Sequence, residues 1–129
     1  VPLYCKAKRQ IFTPVLPVDQ ALITAQRILV VEAPAVMELL SPKPGAQSVI
    51  VTHKRMLNAA MLDSIRPDAI VGPLISPDWD IVDLAITVSA LAYSGNFFVL
   101  TQPLPRAELV IREVRAVCPN LTVKLIEVA

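Results

Sequence analysis

The chain has 129 residues, one domain's worth, enough to bury a single core without staples. Hydrophobic residues make up 54% and charged residues only 18%, which excludes an intrinsically disordered chain. A formal net charge of +1 argues against a nucleic-acid binder held by phosphate contacts, and three glycines leave no Gly-rich phosphate loop.

Residues 1–26 are broken up by Pro2, Pro14 and Pro17. They read as an N-terminal extension: an arm, an extra edge strand over Gln10–Leu16, or a short helix over Val18–Gln26. Lys6, Lys8 and Arg9 are not followed by the unbroken apolar run of a signal peptide, and no run reaches the ~20 apolar residues that cross a bilayer. The chain starts at Val1, which fits a piece of a longer protein. Cys5, Cys118 and His53 are too few for a structural zinc site, which takes about four Cys or His ligands. Both cysteines are expected to be reduced and unpaired, in the cytoplasm.

From residue 27 onward apolar stretches alternate with amphipathic ones, punctuated by proline. Arg27–Glu32 reads as a buried strand, and Pro34–Leu40 as a short helix of about two turns. Ser48–Thr52 is a second strand. His53–Arg66 reads as a helix with Met56, Leu57, Ala60, Met61 and Ile65 on its inner face and Lys54, Arg55, Asn58, Asp63 and Arg66 outside. Asp68–Ile75 is a third strand, with Pro73 at its end or at a bulge because proline cannot donate to a ladder.

Ser76-Pro77-Asp78 has the chemistry of a helix start, with Ser76 as cap, and Gly95 can stop that helix after Ser94. Phe97–Thr101 is a fourth strand. Leu104–Val117 is a helix with Ala107, Val110, Ile111, Val114 and Val117 inward. Leu121–Val128 closes as a strand whose period of two, with Lys124, marks a partly exposed edge. Strands alternating with helices predict a three-layer α/β domain over 27–129, built on a parallel five-stranded sheet.

Three stretches resemble the receiver domain of two-component response regulators, which has a flavodoxin-like fold. Ile28-Leu29-Val30-Val31-Glu32 is similar to the receiver's first strand, which ends in an acidic pair. Arg66-Pro67-Asp68-Ala69-Ile70-Val71 is similar to the approach to its phosphoacceptor strand, and Phe98-Val99-Leu100-Thr101 to its fourth strand, which ends in Ser or Thr. The resemblance implies a signalling module, yet it departs from the family's pattern at the chemistry. The acceptor carboxylate would fall at or beside Pro73, where Gly72-Pro73-Leu74 offers none. The acidic pair shrinks to Glu32 followed by Ala33 and Pro34. The Lys-Pro after the fifth strand has no counterpart in Ile126-Glu127-Val128-Ala129. Phosphoryl transfer needs a metal and fixed cations to offset developing charge. The expectation is therefore a non-phosphorylatable pseudo-receiver with no catalytic residues, no metal and no cofactor.

Open parallel sheets bind ligands beyond the carboxyl ends of their strands. Glu32, His53, Asp78 and Thr101 are the candidate ligand-binding residues there, which leaves a small-molecule-binding domain or an enzyme as the alternative. An imidazole can act as a general base at neutral pH, though His53 has no neighbouring nucleophile in the sequence. Asp78 and Asp80 also suit the capping of a helix. The stretch Asp78–Ser94 is apolar nearly all round, with only Asp83 and Thr87 marking a polar strip. Such a helix wants cover on two sides. Trp79, Val82, Ile86 and Tyr93 are the candidate interface residues, facing a second copy in a homodimer, another protein, or residues 1–26. Nucleic acid and membrane are not expected partners.

Overall fold

The computed structural model describes residues 22, 24–38 and 47–128. The readings for the arm, for the strand at Gln10–Leu16, for most of Val18–Gln26, for Cys5 and for Leu40 lie outside the described residues.

Five strands form one sheet: β1 (Arg27–Val31), β2 (Ser48–Thr52), β3 (Ala69–Pro73), β4 (Asn96–Thr101) and β5 (Thr122–Glu127). The order is β2-β1-β3-β4-β5 and every pairing is parallel. Three helices cross between strands: α1 (Ala59–Ile65), α2 (Ile81–Ala90) and α3 (Ala107–Val117). Short 3-10 turns lie at Pro34–Glu38 and Lys54–Met56. Among the described residues no helix is long and apolar enough to cross a membrane.

Alternation along each strand supplies two cores. Leu29, Val31, Ile70, Phe97, Val99 and Val123 face one way, against Leu62 of α1, Ile81, Leu84, Ala85 and Val88 of α2, and Val114 of α3. Ile28, Val30, Ala69, Val71, Phe98, Ile126 and Val128 face the other way, against Leu22, Ala25, Ala33 and Val36. β-Branched and aromatic side chains at successive positions suit a sheet buried on both faces. The chain steps from β1 to β2 in one direction, then returns past β1 and moves steadily towards β5. Right-handed crossovers put connections of opposite direction on opposite faces. This is why α1, α2 and α3 share a face and the Pro34–Glu38 turn lies on the other. The sense of winding reverses between β1 and β3.

The strands fall where the sequence places them, with Pro73 at the end of β3 and β5 at a sheet edge, paired with β4 alone. The helices differ in detail. The expected helix over His53–Arg66 divides, because Leu57 is extended and Asn58 caps α1, its side chain accepting from Met61 N at 2.8 Å. Leu62 becomes the buried residue of α1, while Met56 is 55% exposed. Pro34–Leu40 is a 3-10 turn over the residues described, Pro34–Glu38.

Ser76 does not cap α2. Asp80 does, accepting from Asp83 N while the Asp83 side chain accepts from Asp80 N, both at 3.0 Å. The preceding residues turn back instead, with Ser76 N donating to Trp79 O and Ile81 N to Leu74 O. Nor does Gly95 stop α2. The helix ends at Ala90, where Ala92 N donates to Ser89 O and Tyr93 N to Val88 O. That is a Schellman closure with Ala92 at φ 71°, in the left-handed region where glycine is usual. Val117 is half exposed rather than inward, because only Val114 of α3 reaches the core fully. Cys118 is free and buried.

Candidate functional site

The carboxyl ends of β1 and β2 carry Glu32 and His53, and the loop from β3 to α2 brings Asp78 and Trp79 over them. Together with Lys54 and Arg55 they line a cleft of about 400 Å³. It lies beside the reversal of winding between β1 and β3, the general place for ligands in such sheets.

Glu32 organises this end. Its N–H donates to Thr52 O at 3.0 Å, which extends the β1–β2 pairing by one bond. Its φ of 52° then turns the chain sharply off the sheet. Left-handed backbone is unfavourable for a side chain with a Cβ, and strain of this kind is often found at functional sites. The Glu32 carboxylate is held from two sides: Oε2 accepts from Lys54 N at 2.9 Å and from the Trp79 indole Nε1 at 3.1 Å. One carboxylate thus ties β1, the turn after β2 and the loop after β3. The Lys54–Met56 turn presents its first N–H to an anion that belongs to the chain itself.

Three of the four candidate ligand residues, Glu32, His53 and Asp78, therefore converge. Thr101 stands apart. It is buried at the end of β4, its hydroxyl donating to Gln102 O at 3.0 Å. Thr101 borders a second groove of about 510 Å³, whose apolar wall is Pro73, Leu74, Leu100, Pro103, Leu104 and Val128. Leu74 N donates to Leu100 O and Val128 N to Thr101 O, and Glu127 Oε2 accepts from Leu104 N at 3.2 Å. These bonds fix the groove's loops. Ile75, at its rim, is 72% exposed. Among the described residues no three His, Cys, Asp or Glu side chains are grouped to hold a metal ion.

The candidate interface residues divide likewise. Ile86 lies on the outer side of α2, 49% exposed, whereas Val82 is partly buried and packs against the core. Trp79 is half-buried against the core and bonded to Glu32. Tyr93 folds back after α2, its hydroxyl donating to Asn96 O at 2.6 Å. Burial first, and the Asp68 carboxylate second, push its phenol well above the ordinary tyrosine value.

Sequence reasoning missed Lys54 and Arg55 as cleft residues by assigning them to a solvated helix face. The signal was available at Asn58, a strong cap followed by two alanines, which starts the helix later and leaves 53–55 at the sheet's end. The groove was missed because its residues come from three separate loops.

No protein-family model matches the chain, and no curated protein matches it. Solved structures do. A mutant of the receiver domain of the histidine kinase CKI1 from Arabidopsis thaliana superposes with a TM-score of 0.51 at 15% identity, over 70% of this chain and 75% of that one. The fold is that of a receiver domain. The signal receiver domain of a modulated diguanylate cyclase from Desulfovibrio desulfuricans, described as an example of alternate folding, matches with a TM-score of 0.47 at 18% identity, over 80% and 82% of the two chains. Within the receiver fold, the end of the third strand is the place where the family resemblance puts a phosphoacceptor. Here β3 ends at Pro73, in the wall of the apolar groove.

Proposed function

We propose that this domain is a cytoplasmic signalling module that uses the receiver fold without phosphoryl transfer, and that it works by contact with a protein partner, a second copy of the chain included. One observation carries the reading. The carboxyl ends of β3, β4 and β5 border a largely apolar groove with Ile75 exposed beside it, and no carboxylate lines it. Two carboxylates near this end are engaged, Glu32 with Lys54 N and Trp79 Nε1 and Glu127 with Leu104 N, while Asp78 stands exposed on the loop after β3 rather than at the strand's end. An acyl phosphate needs a free carboxylate nucleophile and cations to offset charge. An exposed apolar rim suits a protein surface. Ile86 on α2 is a further exposed apolar side chain.

Two measurements test the reading. Incubation with acetyl phosphate and Mg²⁺, followed by intact mass, gives an unchanged mass; a phosphorylated species overturns the proposal. Sedimentation velocity at micromolar concentration shows self-association that Ile75→Asp weakens. A monomer at all concentrations, equally indifferent to Ile75→Asp, removes the homodimer from the reading.

A further inference from the structure

We propose that the cleft beside the winding reversal binds a nucleoside phosphate, its base against the Trp79 indole and its phosphate on His53, Lys54 and Arg55. The cleft's volume, about 400 Å³, lies in the range of small-molecule sites, roughly 300–1,000 Å³. Its lining is unusual for this chain. Four of its six residues are Asp, Glu, Lys or Arg, while those types make up only 18% of the whole chain.

The charges are not alike in availability. The Glu32 carboxylate has two donors on Oε2, so much of its charge is met from within the fold. The side chains of His53, Lys54 and Arg55 make no ion pair or hydrogen bond among the described residues. Three consecutive basic side chains therefore line a cleft in which one of the two carboxylates, Glu32, is already engaged. Guanidinium and ammonium groups pair strongly with phosphate oxygens.

Trp79 supplies the second element. Its Nε1 is fixed by Glu32, which sets the orientation of the ring that lines the cleft. An oriented indole offers a stacking surface to any flat heterocycle. Asp78, exposed at the rim, repels a bare anion but accepts from hydroxyls or an exocyclic amine. The set thus favours a ligand that joins an anion to a flat ring and hydrogen-bond donors over inorganic phosphate. The positive φ of Glu32 is explained in the same way, since it places the carboxylate between the turn and the indole.

Trp79 is the chain's single tryptophan, so its fluorescence reports on this cleft alone. The full chain is titrated with adenosine and guanosine monophosphate, with adenosine, and with inorganic phosphate. The expected result is saturable quenching by the nucleotides, with affinity at least about tenfold tighter than for adenosine or phosphate. The double variant Lys54→Ala/Arg55→Ala, whose far-UV circular dichroism is expected to match the wild type, loses about that tenfold and keeps its response to adenosine. A nucleotide that binds no tighter than its nucleoside or than phosphate overturns the proposal, as does a folded double variant with wild-type affinity. Mass and sedimentation results do not enter this test, so it stands or falls apart from the partner-binding reading.

Discussion

Removing the Glu32 carboxylate separates its two opposing contributions. Glu32→Ala deletes the acceptor of two hydrogen bonds, from Lys54 N and Trp79 Nε1, while leaving a Cβ at φ 52°. Hydrogen bonds to a charged acceptor contribute about 1.5–3 kcal/mol each. The site is only partly buried, so the lower figure applies and the pair is worth about 3 kcal/mol. Glu32→Gly deletes the same bonds but also relieves the left-handed strain, about 1 kcal/mol. The expected loss is therefore about 3 kcal/mol for Glu32→Ala and about 2 kcal/mol for Glu32→Gly. Glu32→Gln keeps a neutral acceptor and should fall between the wild type and either variant. Urea unfolding followed by circular dichroism gives these differences, and Trp79 emission gives an independent readout. The indole is freed in both deletions, so its emission should shift to the red. A Glu32→Ala protein as stable as the wild type with unshifted emission would show that the carboxylate does not hold this edge. A Glu32→Gly protein less stable than Glu32→Ala would show that the backbone carries no strain there.

Three further outcomes follow from the ends of α2. Asp80→Ala should cost about 1 kcal/mol in urea unfolding because it removes the cap, while Ser76→Ala should cost nothing, since Ser76 Oγ is buried without a partner. Ala92→Gly should stabilise by roughly 0.5–1 kcal/mol, against the usual penalty for glycine, because the position is left-handed. Tyr93 should make the fold sensitive to alkali. Its folded value is raised, so the unfolded chain loses the phenolic proton first, and stability falls as pH rises above the ordinary tyrosine value of about 10. Thermal melts between neutral pH and strong alkali should show this fall, and Tyr93→Phe should flatten it; an unchanged slope refutes the assignment.

Much of this protein could be read from its residues alone. Runs such as Ile28-Leu29-Val30-Val31 and Ala69-Ile70-Val71, alternating with amphipathic stretches, specify a parallel sheet, because a strand covered on both faces must be apolar at every position. Pro73 terminates β3 for a reason intrinsic to proline, and the Lys124 strand takes an edge as its pattern implies. Glu32, His53 and Asp78 were also recoverable as neighbours, since each follows the carboxyl end of a strand.

What the residues could not decide was competition between equivalent local signals. Ser76-Pro77-Asp78 and Asp80 with Asp83 are both sound helix starts. Only the return of the chain, with Ile81 N donating to Leu74 O, selects the second, and that return carries Trp79 to Glu32. The same holds for Thr101, which shares an edge with Glu32 in sequence logic but is set apart from it by the sheet's order, with β3 standing between β1 and β4. Backbone preferences are local and can be tallied residue by residue. Which loops meet depends on strand order and on the hydrogen bonds that close them, and these exist only in three dimensions.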